Sequence, residues 1–326
     1  MAAAGKPPLS IPCAEQLSLD ALAPGEIHQR WVILAEDALS EATRIPVIVV
    51  RGKRPGPVFG VTAALHGNEL NGMPTIHGLV AALDPERVSG SVVAVPVSNV
   101  TAFLANMREH RDGQDLNRIL PGRRDGNEAE VFAHSFIGRI VQHFDFLVDL
   151  HTASFGRANS FYLRADLSLP KVCELAPLTG VDIIVDVQAA EGTLRAAATQ
   201  LGVTALTIEV GDANCFQQSF ITRAEQGILR LLERVGMFDA SASKAPPGAV
   251  VCSHSYWSYT DRGGILNVLP ELASRIRKGD LVATLVDPFG NLIREYHAPE
   301  DAIVVGKATH PLAHEGARIL HLGIVK

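Results

Sequence analysis

The chain has 326 residues, 47% hydrophobic and 20% charged, enough to bury a large core and in keeping with a soluble globular protein. A formal net charge of −6 offers no basic face to nucleic acid, and no apolar run reaches the length that spans a bilayer. Cys13, Cys173, Cys215 and Cys252 form no CxxC pair, so mostly buried thiols in a reducing compartment are expected; with no apolar signal core in "MAAAGKPPLSIP", the cytoplasm is the expected location.

From about Glu26 to Ala240 strand-like and helix-like segments alternate. Strands are expected at "IHQRWVILA" and "RIPVIVV", and the uncharged run "VFGVTAAL" (58–65) reads as a strand buried on both faces. A helix follows over 70–83, then the strand "SVVAVPV" (91–97) and a long irregular stretch to about Asp125. Helical spacing returns over 127–144, "DFLVDL" (145–150) is a strand, and "VDIIVDV" (181–187), a helix near 191–201 and "VTALTIEV" (203–210) continue the alternation. A helix over 217–237 closes a region that reads as an α/β sheet with helices on both sides. "DASASKAPPGA" (239–249) is a linker candidate between a catalytic domain, 1–240, and a small all-β domain, 245–326, with short strands between Gly, Pro and Asp turns.

Chemistry-bearing residues gather at strand ends. His66 and Glu69 follow the buried strand in "HGNE", and a His and a Glu three apart can reach one ion where a chain turns into a helix. The competing reading makes Glu69 a helix cap and His66 a turn residue; on spacing alone the two are even. "HAPE" (297–300) shows how weak HxxE is by itself, since Pro299 breaks any helical turn there. His151 ends a second apolar strand and Glu209 a third, and the carboxyl ends of parallel strands line one crevice. The sequence holds no GxSxG, GxxxxGK[ST], GxGxxG or HExxH motif, and Cys215 has no base near it in sequence. In the long loop, "DLNR" brings Asn117 and Arg118, an amide and a guanidinium fork suited to a carboxylate, with Arg108 and Arg111 upstream. A solvated basic loop balanced by Asp112, Asp115 and Asp125 is the plainer alternative.

"ALHGNELNG", an Arg before "DLNR", "VDLHT" and "TIEVG", in that order over about residues 45–215, resemble the succinylglutamate desuccinylase/aspartoacylase family, a branch of the zinc carboxypeptidase-like fold. The resemblance implies a mixed sheet with flanking helices, and one zinc ion per chain held by His66, Glu69 and His151. It also implies Glu209 as general base, Asn117 and Arg118 as the pair holding a substrate carboxylate, and Arg108, with Arg111 as competitor, as the group polarising the scissile carbonyl. It makes the C-terminal β domain a barrel-sandwich-like unit similar to biotin and lipoyl carriers, although the hairpin "DPFGN" (287–291) lacks the lysine a carrier modifies. The implied activity is hydrolysis of the amide bond of a small N-acyl amino acid, as in N-acetyl-diaminobutyrate deacetylases. The rivals are a carboxypeptidase acting on short peptides and a non-catalytic zinc-binding module. The implied partner is a small-molecule substrate, with neither nucleic acid nor membrane, and a homo-oligomer is compatible with the sequence.

Overall fold

The computed structural model describes residues 11–239, 246 and 248–326, so most of the linker candidate and the segment "MAAAGKPPLS" lie outside the described residues. The first part of the chain runs β1 (Cys13–Ala14), β2 (Glu26–Glu36), β3 (Ala42–Arg51), β4 (Arg54–Ala63), α1 (Gly72–Ala82), β5 (Ser89–Val95), α2 (Val100–Ala105), α3 (Glu128–Arg139) and β6 (Phe146–His151). It continues through β7 (Arg157–Asn159), β8 (Phe161–Ala165), α4 (Pro170–Leu175), β9 (Ile183–Asp186), α5 (Leu194–Gln200), β10 (Thr204–Val210) and α6 (Gln218–Arg234). The C-terminal part is all strand: β11 (Val250–Tyr259), β12 (Gly264–Val268), β13 (Arg275–Ile276), β14 (Leu281–Val286), β15 (Leu292–His297), β16 (Ala302–Ala308), β17 (Leu312–Ala313) and β18 (Arg318–Val325).

Alternation along the central strands explains why both faces are covered. Phe59, Val61, Val92, Ala94, Val148 and Ile208 pack beneath α1 and α6, whereas Val93, Val95, Leu147 and Ala205 point the other way, toward α3 and α5. Successive side chains of a strand face opposite sides, so a run with no polar residue demands helices on each. Phe132 and Phe136 of α3 are both 1% exposed, and burying an aromatic of this size contributes roughly 1.5–3 kcal/mol.

Among the described residues the main sheet has 14 strands, in the order β1-β2-β3-β5-β4-β6-β10-β8-β9-β11-β18-β16-β13 with β7 paired to β16. It is mixed: β4, β5, β6 and β10 run parallel, while β8 is antiparallel to β10. The C-terminal strands divide. β11, β13, β16 and β18 extend the main sheet, and β15-β14-β12-β17 form a separate antiparallel sheet. "DPFGN" is the turn between β14 and β15, with Asp287 Oδ1 accepting from the backbone of Phe289 and Asn291.

The structure departs from the sequence reading at several elements. The short α2 lies within the stretch expected to be irregular, its start capped by Asn99 accepting from Ala102 N–H; six residues are too few to show periodicity. The helix expected over 127–144 stops at Arg139 and leaves its axis at Ile140, φ −131°. β7, β8 and α4 occupy 157–175, where no element was expected. The thiol expectation also needs correcting, because Cys13, Cys173 and Cys215 are exposed and only Cys252 is buried, none of them in a disulfide. No helix among the described residues is long and apolar enough to cross a membrane.

Candidate active site

The carboxyl ends of β4, β6 and β10 lie side by side, and the chemistry sits there. β4 stops at Ala63, and the chain turns through Ala64, φ +48°, into His66–Glu69, closed by a Glu69 N–H to His66 O bond of 3.1 Å. Gly67 is required where this turn meets α2, since a Cβ there would lie 2.0 Å from the Ala102 carbonyl carbon. His151 is the last residue of β6, and the parallel register places Glu209 of β10 directly beside it.

His66, Glu69 and His151 are almost fully buried, and one donor atom from each lies within 4.8 Å of the others. His66 Nδ1 stands 2.9 Å from Glu69 Oε1, and His151 Nδ1 stands 2.8 Å from Glu69 Oε2. The opposite ring nitrogens are held by carboxylates: His66 Nε2 is 3.0 Å from Asp115 Oδ1, and His151 Nε2 is 2.7 Å from Asp149 Oδ2. A carboxylate on Nε2 draws the proton there and leaves the Nδ1 lone pair for a cation, the usual outer support of a metal-bound imidazole. His66 Nδ1 is buried without a hydrogen bond, as a nitrogen reserved for an ion would be. Two imidazole nitrogens and a carboxylate make a donor set that fits zinc. Glu69 does not cap α1; its oxygens accept instead from Thr152 N–H, Ser154 Oγ and Arg108.

The carboxylates around the cluster favour positive charge there, which a proton or a metal ion can supply. Burial would raise Glu69, but the His66 and His151 imidazoles hold it well below the usual carboxylate range. Burial would lower His151, yet Asp149 and Glu69 keep it well above the ordinary imidazole value. Asp115, against desolvation, is held far down by His66 and Arg108. Burial pushes Glu209 up, opposed by His151 and reinforced by Glu69; its Oε2 accepts from Asn159 Nδ2 at 3.0 Å.

The irregular stretch is organised around Asp115. One oxygen accepts from Asn117 N–H and faces His66, and the other accepts from both Nε and Nη2 of Arg108. Arg108 thus stands on the cluster, whereas Arg111 pairs with Glu128 away from it. Asn117 Oδ1 accepts from Leu194 N–H at the start of α5, which leaves its NH₂ for another partner. Arg118 is exposed, without a side-chain hydrogen bond or ion pair among the described residues. His66, Glu69, Arg108, Asn117, Arg118, His151 and Glu209 all line one cavity of about 360 Å³, and Arg111 does not.

Several lining residues lie outside the motifs that suggested the site, Ser255, Tyr256 and Trp257 coming from "SHSYWSYTDRGG" (253–264), whose aromatics the sequence left as either cavity lining or core. Arg157 and Arg164 come from β7 and β8, Arg195 from α5, and Ser255, Tyr256, Trp257, Arg318 and His321 from β11 and β18. Tyr256 and Trp257 form a wall of the cavity, where Trp257 stacks on His321 at 5.1 Å with Arg318 over its ring at 5.5 Å. Asp149 was readable in principle, since residues two apart on a strand share a face, as Asp149 and His151 do.

The model of the succinylglutamate desuccinylase/aspartoacylase catalytic domain matches residues 55–235. A curated N-alpha-acetyl-L-2,4-diaminobutyric acid deacetylase from Halomonas elongata is 26% identical over 281 residues, 82% of this chain and 81% of that one. Among solved structures, a succinylglutamate desuccinylase from Silicibacter sp. superposes with a TM-score of 0.84 at 23% identity, covering 95% of this chain and 97% of that one. The product-bound ectoine utilization protein EutE (DoeB) from Ruegeria pomeroyi gives 0.83 at 21% identity, covering 93% and 97%. With a family model matched over more than half its length, this chain belongs to the succinylglutamate desuccinylase/aspartoacylase family.

Proposed function

We propose that the chain is a zinc-dependent hydrolase of the amide bond in small N-acyl amino acids, with His66, Glu69 and His151 as ligands. The observation that carries this reading is the register of β6 and β10, which sets a free carboxylate, Glu209, beside the His66–Glu69–His151 cluster. A site built only to bind a metal has no use for that extra carboxylate. The names of the deacetylase and desuccinylase relatives support the same reaction class. Zinc held there supplies a Lewis acid that polarises a carbonyl and brings the pKa of water to about 7.

The remaining roles fall to the chain's own residues. Asn117 Nδ2 and the Arg118 fork hold the substrate carboxylate, which turns binding energy into orientation. Glu209, its Oε2 fixed by Asn159, takes a proton from the attacking water and returns it to the departing amine nitrogen. A carboxyl raised by burial is better suited to that shuttle than one at the ordinary value, because its basicity lies closer to neutral pH. Arg108, steadied by Asp115, donates to the oxygen that gains charge as the carbonyl becomes tetrahedral.

The test is a panel of N-acyl amino acids and dipeptides incubated with the zinc-loaded protein, read by release of free amine. Release from the N-acyl amino acids that stops with a chelator and returns with zinc is expected. Preferential cleavage of dipeptides would make the protein a carboxypeptidase, and no turnover of either would leave a binding module.

A further inference from the structure

The turn after β10 joins Glu209 to the metal-binding turn through a chain of side chains that the chemistry above does not use. Glu209 Oε2 accepts from Asn159 Nδ2 at 3.0 Å, and the Asn159 N–H donates to Asp212 Oδ1 at 3.1 Å. Asp212 Oδ2 accepts from Gln217 Nε2 at 3.1 Å, and the Gln217 N–H donates to Asn71 Oδ1 at 2.9 Å. Asn71 is fully buried and stands two residues after Glu69. The backbone of the turn is fastened as well: Gly211 O accepts from Ala153 N–H at 2.8 Å, and Asn214 N–H donates to Asn68 O at 3.0 Å. A single turn thus meets the segments that carry His66, Glu69 and His151 and supports Glu209 besides.

Each amide that meets Asp212 has one workable orientation. Gln217 Oε1 accepts from the Asp212 N–H at 2.7 Å and from Asn71 Nδ2 at 3.0 Å, so Nε2 is the end that meets the Asp212 carboxylate. Asn71 Nδ2 also donates to Val210 O at 2.7 Å, which leaves its Oδ1 for the Gln217 N–H. At Gly211, φ +79°, a Cβ would collide with Gln217 Oε1, so this close approach needs glycine. Asp212 is half-buried, and its two oxygens go to neutral donors. An ionised acceptor binds such donors more tightly than an amide oxygen does, so one carboxylate holds a backbone N–H and a side chain together. From the other side Asn159 lies against Gly306 of β16, where a Cβ would stand 2.8 Å from Asn159 Oδ1. The buried Asn159 amide therefore has little room to turn.

We propose that Asp212 is a positioning residue for Glu209. It fixes Asn159, whose amide aims the Glu209 carboxylate beside the His66–Glu69–His151 cluster, and Gln217 and Asn71 lock Asp212 to the turn that carries Glu69. This rests on the amidohydrolase reading above, which makes Glu209 the proton shuttle. Tyr162 faces Glu209 across the β8–β10 register, and His151, Glu69, Arg164 and His66 act on it through their charge. Asn159 Nδ2 supplies a directional bond, which settles where the carboxylate points.

The experiment reverses the polarity of the Asp212–Gln217 bond with isosteric changes. Asp212→Asn keeps an oxygen for the Asn159 N–H but sets an NH₂ against Gln217 Nε2, and Gln217→Glu sets a second carboxylate against Asp212. The double variant restores one donor and one acceptor in reverse, at unchanged net charge. On an N-acyl amino acid that the zinc-loaded wild type hydrolyses, each single variant should lower kcat by roughly 10- to 100-fold, the cost of misplacing a reacting group. KM and zinc content should stay at wild-type values, and the double variant should recover most of the loss. Asp212→Asn should add little to Asn159→Ala, because both act through one contact. Crystal structures of the variants give a readout independent of turnover: the Asn159 Nδ2 to Glu209 Oε2 contact should open in the single variants and close again in the double. Either single variant suffices if the other does not fold. Wild-type kcat in a single variant, a loss of kcat with that contact still closed, or a double variant no better than the singles would overturn the proposal. If the wild type turns over no N-acyl amino acid, the amidohydrolase reading fails, and the contact in the crystal structures alone decides whether Asp212 holds Asn159 on Glu209.

Discussion

The two walls of the cavity handle charge in opposite ways. On the wall from β4, β6 and the 108–118 stretch, every buried charge is answered: Glu69 by two imidazoles, Asp115 by His66 and Arg108, His151 by Asp149. On the facing wall, from β7 and β18, Arg157 is pushed down by burial and by the charges of Arg318 and Arg108, and Glu69 and Glu209 oppose them through space. Answered charge holds geometry, since each partner fixes the other against solvent. Charge opposed only through space fixes geometry less firmly than charge held by hydrogen bonds. The contrast separates the hydrogen-bonded cluster that carries the proposed chemistry from the rest of the cavity.

The largest effects belong to the answered wall. His66→Ala removes one of three donors, and metal content by atomic emission should fall from one ion per chain to near zero, with activity at background. Glu209→Gln should keep full metal content while kcat drops by ~10²–10⁴, the usual worth of a positioned proton shuttle. Near-normal turnover in that variant would remove Glu209 from its role and leave Arg108 and the metal site to be explained without a base.

Next in size comes His110, behind the same wall. It is 3% exposed, packs on Phe132 at 5.0 Å, has Nδ1 near Thr101 Oγ1 and Asn99 Oδ1, and faces Asp112, Arg111 and Glu128. Burial, reinforced by Arg111 and opposed by Asp112, lowers its pKa from 6.5 to about 4. The unfolded chain therefore binds a proton that the folded chain refuses between those pH values. Stability is intact above pH 6.5 and falls as the pH drops toward 4, by up to about 3 kcal/mol from this group. Urea unfolding at pH 7.5 and near pH 4 should show a smaller acid loss in His110→Gln than in the wild type. Equal losses would mean that His110 is already solvated.

Asp115→Asn tests how far one carboxylate organises the wall. It leaves every ligand in place but weakens the hold on His66 Nε2 and Arg108. Zinc affinity, by competition with a chelator, should fall by ~10–100-fold, the range for an outer carboxylate on a metal-bound imidazole. Unchanged affinity would show that His66 is oriented by packing alone.

The two walls also differ in how much of them could be read in the sequence. "HGNE", "DLNR", "VDLHT" and "TIEVG" stand at the ends of apolar strands or in one overlong loop, where periodicity breaks off and a polar residue is conspicuous. Arg157 and Arg318 are single arginines near short strands, indistinguishable in sequence from solvated surface charges. Only the pairing of β7 with β16 and of β11 with β18 brings them to the cavity. The same long-range pairing explains why the C-terminal strands were legible as β structure while their merger with the main sheet was not. Local pattern reports which face of a strand is buried and says nothing about which strand lies beside it. Short elements such as α2 and β7 fall below the length at which a period shows.

The smallest predicted effect sets the scaffold apart from both walls. Helix α3 begins with a capping box: Asn127 Oδ1 accepts from Glu130 N–H, and Glu130 Oε2 accepts from Asn127 N–H. The Glu130 carboxylate also takes a fork from the exposed Arg123 at the protein surface, so its ion pair adds little. Asn127→Ala should cost about 1 kcal/mol of stability through the lost cap, read as a shift of the urea midpoint. Because α3 meets the sheet through Phe132 and Phe136 rather than through its first turn, KM and kcat should stay at wild-type values. A change in KM with this variant would show that the 108–127 stretch transmits strain from the helix start to Asn117 and Arg118. The answered wall would then be less rigid than its hydrogen bonds imply.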